Sequence, residues 1–253
     1  MDLKLKGMKA VITGGSKGIG RAIAEGLVGE GANVAICARN ADEVDAAVAA
    51  LGASGAKACG QALDVADGDA LKAWIKDAAG ELGGIDILVP NVSALAIPNS
   101  EESWKAQFDI DMMHTVRSVE AAMPHLEKSD AGSIVIISSV SGVEVDFAGG
   151  PYGAFKAALI HYAKTLACQL AGQGIRCNSV SPGNTYFEGG VWPMIEENMP
   201  ELFATALAAN KTGRMATAEE VATAAVFLAS PVSSFTTGTN LTVDGALTNR
   251  VQF

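Results

Sequence analysis

The sequence has few of the features that build disulfide-stabilised, membrane-spanning or nucleic-acid-binding proteins. Its 253 residues include only four cysteines, widely spaced and without a C-x-x-C pair, so we expect buried free thiols in a reducing compartment. No apolar run approaches the roughly 18 residues that span a bilayer. Basic residues number 18 against 28 acidic ones, and a net charge of −10 would repel a polyphosphate backbone. We therefore expect neither a membrane nor a nucleic acid as a partner.

Two further absences concern location and metals. Residues 1–9 contain no apolar stretch of signal-peptide length, and we expect a cytoplasmic protein. The three histidines, His114, His125 and His161, lack metal-ligand spacing, so we expect ordinary surface or interface histidines. No bound metal is therefore expected.

Short β-branched runs alternate with alanine-rich stretches along the whole chain. The first three runs begin about 24 residues apart, the length of one strand, one helix and two loops. This alternation favours a single α/β domain over residues 1–253, with a doubly wound parallel sheet and helices on both faces. Strands are predicted near residues 10–13, 34–38, 57–63, 85–89, 133–138, 176–180 and 240–243.

Three predicted helices add information. Residues 103–123 carry apolar side chains at spacings of three and four, the pattern of one amphipathic helix. Residues 152–171 are apolar around most of the helix circumference, so we expect packing on the sheet and on a second surface, for which a partner subunit is the first candidate. The capping-box pattern at residues 217–220 predicts the start of a third helix.

The segment Thr13–Gly20, T-G-G-S-K-G-I-G, lies between a predicted strand and a predicted helix. Glycines there permit a tight turn and let the backbone approach a pyrophosphate, which the helix amino terminus attracts. A plain strand-to-helix connection is the ordinary alternative. The same residues match G-x-S-x-G, the nucleophile elbow of α/β-hydrolases, but that chemistry needs a later histidine than His161, the last one. The context favours a dinucleotide site.

Tyr152 and Lys156 lie four residues apart and therefore share one helical face. An ammonium beside a phenol favours the phenolate, which can act as a general acid/base, whereas two surface side chains are the ordinary alternative. Ser139 closes the preceding predicted strand, and doubly wound sheets bind ligands at the carboxyl ends of their strands. We expect the three side chains to line one crevice.

In this order and combination, the motifs resemble those of the classical short-chain dehydrogenase/reductases. The resemblance rests on Thr13–Gly20, Ser139, Tyr152–Lys156 and Asn178–Gly183, and it covers essentially the whole chain. It implies a Rossmann-type domain, a nicotinamide cofactor, a small-molecule carbonyl or alcohol substrate, and a homotetramer built as a dimer of dimers.

The resemblance also implies catalytic roles. Tyr152 would exchange a proton with the substrate oxygen, and Ser139 would hold that oxygen. Lys156 would favour the phenolate and contact the nicotinamide ribose. Hydride would pass directly between the substrate carbon and the nicotinamide ring.

The resemblance also implies cofactor contacts at individual positions of this chain. Asp64 and Val65 would reach the adenine, and Asn91 matches the first residue of the family's N-A-G turn, although Asp and Asn are ordinary turn residues after strands. The segment that clamps the carboxamide corresponds to Pro182, Gly183 and Thr185. The glycine-rich turn would contribute Gly14, Ser16, Lys17, Gly18, Ile19 and Gly20.

The end of the second strand bears on the choice of cofactor. NAD-binding chains place an acid there to bond the ribose 2′-hydroxyl, whereas this chain has Ala38 followed by Arg39. Lys17 adds a second positive group, so NADP(H) is expected in preference to NAD(H). The ordinary alternative is that Arg39 is a solvated residue opening the next helix.

Two positions depart from the family pattern. The N-A-G turn reads Asn91-Val92-Ser93, and Asp111 stands where an active-site Asn is usual. In the family that Asn supports a helix kink and a water leading to the lysine; a carboxylate could accept from the same water but would donate no hydrogen bond. We include Asp111 with the catalytic residues. These departures keep open a non-catalytic dinucleotide-binding sensor or scaffold.

Residues 186–210 correspond to the variable substrate lid of the family. Their aromatic and methionine side chains favour an apolar or cyclic carbonyl substrate of the ketone or 3-oxoacyl type, although ordinary packing explains part of that content. Their glutamates argue against a strongly anionic one. We therefore expect an NADP(H)-dependent oxidoreductase that transfers hydride between nicotinamide and a carbonyl or secondary alcohol.

Overall fold

The computed structural model describes residues 2–251 and places its strands in one parallel sheet of order β3-β2-β1-β4-β5-β6-β7. The predicted doubly wound α/β fold is confirmed. The strand order reverses between β1 and β4, and a sheet of this kind binds its ligands at that reversal, beyond the carboxyl ends of the strands. The strands are β1 Lys9–Thr13, β2 Asn33–Ala38, β3 Ala58–Ala62, β4 Ile87–Val89, β5 Ser133–Ile137, β6 Arg176–Pro182 and β7 Asn240–Val243.

Helices cover both faces of the sheet. They are α1 Gly18–Gly29, α2 Ala41–Gly52, α3 Gly68–Leu82, α4 Glu101–Gln107, α5 His114–Leu126, α6 Pro151–Leu170, α7 Val191–Asn198, α8 Pro200–Ala209 and α9 Ala218–Ala229. Helices α1, α2 and α9 share one apolar core with the sheet, and α3, α5 and α6 share the other. In β1, Ile12 enters the first core and Val11 the second, because successive strand residues point to opposite faces.

The prediction of one continuous helix over residues 103–123 is wrong. A π-helical segment, Phe108–Met113, separates α4 from α5. A π turn closes i→i+5 hydrogen bonds and is often found at functional sites. The three- and four-residue spacing of apolar side chains does not reveal one widened turn. The segment carries Asp111, which is buried.

Other local expectations can be compared with the structure. The capping box is confirmed, since Glu220 N donates to Thr217 Oγ1 at 3.3 Å and Thr217 N donates to Glu220 Oε2 at 2.9 Å. All four cysteines are free, but the expectation of buried thiols holds only for Cys37 and Cys177. Cys59 is half-buried, and Cys168 is exposed on α6. Within residues 2–251, no helix has the length and apolar character needed to cross a membrane.

Candidate active site

The glycine-rich turn connects β1 to α1 at the reversal of the sheet. Gly14 and Gly18 have φ angles of +67° and +56°, which side-chain-bearing residues rarely adopt. A Cβ at Gly20 would overlap the carbonyl oxygen of Gly14, so the turn can close only around glycine. Lys17, the residue that caps α1, makes no side-chain capping bond to the helix. The first-turn amides therefore form the type of cradle that binds a diphosphate.

Asn91 follows β4 and fixes this turn from the neighbouring strand. Its Nδ2 donates to Thr13 O at 3.1 Å and to Gly14 O at 3.3 Å, while its backbone N donates to Thr13 Oγ1 at 3.0 Å. The structure thus places this predicted cofactor residue in contact with the turn itself. Its side chain sets the shape of the cradle.

The expectation of a surface or interface histidine is wrong for His114, which is fully buried behind the turn. Its Nε2 lies 2.9 Å from Thr13 Oγ1, and its Nδ1 lies 3.0 Å from Ile110 O. A carbonyl oxygen only accepts, so Nδ1 carries the proton and Nε2 accepts from the Thr13 hydroxyl. Burial lowers the pKa of His114 to about 4, which keeps the ring neutral.

In residues 2–251, no group of three or more His, Cys, Asp or Glu side chains could hold a metal ion.

Ser139 begins a 3-10 turn over Val140–Gly142, directly after β5. A Cβ at Gly142 would lie 2.6 Å from the carbonyl carbon of Lys156, so only glycine lets the turn pack this closely on α6. Helix α6 carries both Tyr152 and Lys156. The structure therefore brings the elements of the three predicted catalytic residues together at the carboxyl end of β5.

Lys156 extends under the Tyr152 ring and is only 2% exposed. Its Nζ lies 5.5 Å from the centre of that ring and donates to Ile137 O at 3.3 Å. It also lies 3.0 Å from Asp111 Oδ1, in a direct ion pair. Burial alone would lower the pKa of Lys156, but the charge of the facing Asp111, together with contributions from Tyr152 and the hydrogen bond to Asp111, more than offsets this, and its pKa lies above the usual value. The side chain therefore remains an ammonium.

Asp111 is fully buried and holds Lys156 directly, without an intervening water. Its Oδ2 accepts from Ala94 N at 2.9 Å. With the amide nitrogen of Gln107 facing the carboxylate, that nitrogen donates to both oxygens, at 3.2 Å to Oδ1, and Gln107 Oε1 accepts from Ala96 N at 3.0 Å. The sequence analysis missed Gln107, whose only signal is its position four residues before Asp111, on the same helical face.

A second charged corner lies at the outer end of the turn, beside an open cavity of about 470 Å³ lined in part by Ser16, Lys17, Glu43 and Glu188. Ser16 Oγ donates to Glu43 Oε2 at 3.2 Å, and Lys17 Nζ lies 3.9 Å from Glu43 Oε1. Arg39 is exposed at the end of β2, and its guanidinium forms no ion pair within residues 2–251. Glu43 was not identified from the sequence, because it comes from the first turn of α2.

Two predicted adenine contacts follow β3. Asp64 is exposed, and its Oδ1 accepts from Ala66 N at 2.9 Å, which is ordinary turn chemistry. Val65 is buried in the core beneath the sheet, so only its backbone is available to a ligand. Ile19, in the first turn of α1, packs against the other core.

The segment after β6 reaches back over the glycine-rich turn. Pro182 ends the strand, and the N–H of Gly183 donates to Val243 O at 2.9 Å. The buried Thr185 donates its hydroxyl to Gly183 O at 3.0 Å. Phe187 packs so closely on Gly18 that a Cβ there would meet its ring. This aromatic residue was assigned to the lid and not to the cofactor site.

Residues 186–210 form α7 and α8 around a small apolar cluster of their own. Trp192 is buried in it, with its ring 6.0 Å from Phe147 and 6.4 Å from Phe203 between centroids. Tyr186 donates its hydroxyl to Glu196 Oε2 at 2.6 Å. Part of the aromatic content of this segment is therefore explained by internal packing.

Comparison with known proteins agrees with this geometry. A family model described as Enoyl-(Acyl carrier protein) reductase matches residues 14–248. Isoepoxydon dehydrogenase of Penicillium expansum is 39% identical over 255 residues, covering 98% of each chain. The 3-oxoacyl-(acyl-carrier-protein) reductase of Thermotoga maritima is 34% identical over 249 residues, 97% of this chain and 99% of that one.

Solved structures show the same similarity. L-Sorbose reductase from Gluconobacter frateurii, complexed with NADPH and L-sorbose, superposes with a TM-score of 0.90 at 29% identity, covering 99% of this chain and 100% of that one. An NADPH-bound short-chain oxidoreductase of Pseudomonas aeruginosa, described as containing an atypical catalytic center, gives 0.87 at 29% identity over 96% and 98% of the chains. The sequence motifs, the fold and these matches show that the chain belongs to the short-chain dehydrogenase/reductase family of oxidoreductases.

Proposed function

We propose that this chain is an NADP(H)-dependent oxidoreductase that transfers hydride between nicotinamide and a carbonyl or secondary alcohol. One observation carries the proposal: the buried ammonium of Lys156 lies 5.5 Å from the centre of the Tyr152 ring. A dinucleotide sensor could use a buried ammonium to hold the cofactor ribose, but it would not need a phenol beside that costly buried charge. The non-catalytic alternative therefore has less support.

The chain's own residues supply the proton chemistry. Tyr152 donates a proton to the carbonyl oxygen during reduction, and the Ser139 hydroxyl holds the same oxygen. Lys156 uses two of its three N–H groups on Asp111 and Ile137, which leaves one for the cofactor ribose. The glycine-rich turn would hold the diphosphate of NADPH, which would supply the hydride when bound.

The preference for NADP(H) rests on charge at the outer corner of the site. Arg39 and Lys17 are positive groups near the end of β2, where a 2′-phosphate would bind. Both similar structures described above contain NADPH. Glu43 opposes this preference, but its side chain is 40% exposed and can turn into solvent when a phosphate approaches Lys17.

The substrate is proposed to be an uncharged, apolar or cyclic ketone, or a 3-oxoacyl compound, covered by the lid at residues 186–210. The exposed Tyr186, Met194 and Phe147 offer apolar surface for it. The similar proteins include reductases named for L-sorbose and for 3-oxoacyl groups. Glu188 and Glu196 disfavour a strongly anionic substrate.

The first experiment follows NADPH oxidation at 340 nm with a panel of cyclic ketones, open-chain ketones and 3-oxoacyl thioesters. Turnover with a member of the panel is expected, and Tyr152→Phe should reduce it by about 10²–10⁴-fold while NADPH binding stays unchanged. Tyr162→Phe, on the same helix, is the matched control. NADPH binding without turnover across the panel would favour the sensor alternative.

The assembly is proposed to be a dimer of dimers. Trp104, Phe108 and Phe155 form an aromatic cluster at the surface of α4, the π-helical segment and α6, with Phe155 6.0 Å and 6.1 Å from the other two rings. This cluster lies on the second apolar side of α6 that the sequence predicts. Light scattering on the eluting protein should give four times the 25.8 kDa chain mass; a monomer contradicts this part of the proposal.

A further inference from the structure

Asp111 places a full negative charge inside the catalytic corner, at the position where the family usually has a neutral amide. The carboxylate is 0% exposed and lies on the widened turn Phe108–Met113, which faces α6. It accepts from Lys156, Ala94 N and Gln107. These donors satisfy both carboxylate oxygens from inside the protein. The ion pair is therefore a built feature of the site.

The pair changes the charge that Tyr152 experiences. A lone ammonium beneath the ring would present a net positive charge, which attracts the negative charge of a phenolate. Here a carboxylate oxygen lies 3.0 Å from the same nitrogen, so the phenol faces a nearly neutral pair. The effect is not weakened by water, because both partners are buried.

We propose that Asp111 is a positioning residue that fixes the Lys156 ammonium and cancels most of its charge, so that Tyr152 stays protonated and carbonyl reduction extends to a more alkaline pH. The inference rests on the proposed oxidoreductase function. It gives Asp111 a role that the usual Asn could not perform, since an amide carries no charge.

The other groups around the cluster come from α4, α5, the π-helical segment and the segment after β5, in which Asp146 accepts from Ser141 Oγ at 2.6 Å. From α5, His114 is neutral above about pH 4. From α4, Gln107 is uncharged, and the turn after β5 contributes the hydroxyl of Ser139. Asp109 lies in the same π-helical segment but pairs at the surface with Lys105. A pH-dependent change produced by Asp111 can therefore be assigned to the Lys156–Tyr152 pair.

The main test compares the pH profiles of kcat/KM for reduction in the wild type, Asp111→Asn and Asp109→Asn. The wild type should lose activity only on the alkaline side, where the phenol ionises. Asp111→Asn should move that midpoint to lower pH by about one unit. Asp109→Asn removes the same charge from the surface of the same segment and should leave the midpoint in place. Loss of activity in Asp111→Asn without a shift would mean a merely structural role and would overturn the proposal.

A second readout needs no turnover. In a Tyr162→Phe/Tyr186→Phe background, Tyr152 is the remaining tyrosine, and its ionisation can be followed by absorbance near 295 nm. Adding Asp111→Asn should lower the midpoint by about one pH unit. If that variant does not fold, the background protein alone decides: a midpoint above about pH 9 supports charge cancellation, and a lower one contradicts it.

The two proposals fail in different ways. A wild type that turns over, with a midpoint insensitive to Asp111→Asn, disproves only the role of Asp111. A wild type that turns over nothing in the substrate panel disproves the proposed function, while the absorbance titration still tests the cancellation of charge.

Discussion

Two lysine–carboxylate pairs lie at opposite ends of the same site and differ in depth. Lys156 and Asp111 are 3.0 Å apart, with side chains 2% and 0% exposed. Lys17 and Glu43 are 3.9 Å apart, with side chains 58% and 40% exposed. The same two charges are therefore fixed in one place and free to exchange partners in the other. We therefore expect the buried pair to influence the proposed proton transfer, and the exposed pair to compete with the phosphate of a bound cofactor.

The largest expected difference between the pairs is in stability. Asp111→Ala leaves the ammonium of Lys156 buried without a counter-charge and should lower the free energy of unfolding by about 3–5 kcal/mol. Glu43→Ala breaks an exposed pair and should cost less than about 1 kcal/mol. Urea unfolding followed by circular dichroism measures both. Equal losses would show that burial does not distinguish the two pairs.

Arg39→Ala removes a positive group that forms no ion pair within residues 2–251. A guanidinium–phosphate bond contributes roughly 1.5–3 kcal/mol, so the preference for NADPH over NADH should fall by about 10–100-fold. The KM for NADPH should rise while that for NADH barely changes, because NADH lacks the phosphate. Arg214→Ala removes a guanidinium held by Glu220 and serves as the control. A wild-type protein that prefers NADH would contradict the proposal that Arg39 and Lys17 bind the 2′-phosphate.

Substitutions at Glu43 and Lys17 should change the affinity for NADPH by less than Arg39→Ala changes the NADPH preference, and the two should act in opposite directions. Glu43→Gln retains a hydrogen-bond acceptor for Ser16 but frees Lys17, and should tighten NADPH binding up to about fivefold. Lys17→Ala should weaken it by a similar factor, because an ammonium is a point charge without the fork of Arg. Fluorescence titration with NADPH measures both constants. Weaker binding in Glu43→Gln would mean that the carboxylate helps the cofactor.

Added salt should have the smallest effect of these changes. It should screen the exposed Lys17–Glu43 pair but not the buried Lys156–Asp111 pair. Raising the ionic strength to about 1 M shortens the Debye length to about 3 Å, so the NADPH preference of the exposed corner should decline a few-fold. The midpoint of the reduction profile should stay in place, since water and ions do not reach Asp111. Measuring both quantities in one salt series tests the comparison directly. A midpoint that moves with salt would contradict it.

Local patterns were enough to predict the fold, and they also pointed to several residues that the structure brings to the candidate site. The strands, the glycine-rich turn and the Tyr152–Lys156 spacing each depend on neighbours within a few residues, and the structure brings their elements together. The features that the sequence did not reveal depend on contacts between residues that are far apart along the chain. Glu43 meets Ser16 from 27 positions away, and His114 meets Thr13 from 101 positions away. No periodicity in a single sequence encodes such pairings.

Asp111, which stands where the family usually has Asn, was only partly predictable from the sequence. The sequence shows the unusual acid, but the expected role was to accept from a water leading to the lysine. In the structure the carboxylate contacts Lys156 itself. Asp111 lies on the π turn, whose extra width the apolar spacing did not indicate.

The π-helical segment also makes the position of the Asp111 carboxylate depend on the number of residues between α4 and α5. A π turn holds one residue more than an α turn, so deleting one residue from 108–113 could restore α-helical winding without moving the helices on either side. The remaining residues of the segment would then be redistributed between the two fixed helices, each turning by only part of the roughly 100° that separates neighbours in an α-helix. A deletion of one residue would thus change the distance between Asp111 and Lys156 without a substitution at either residue.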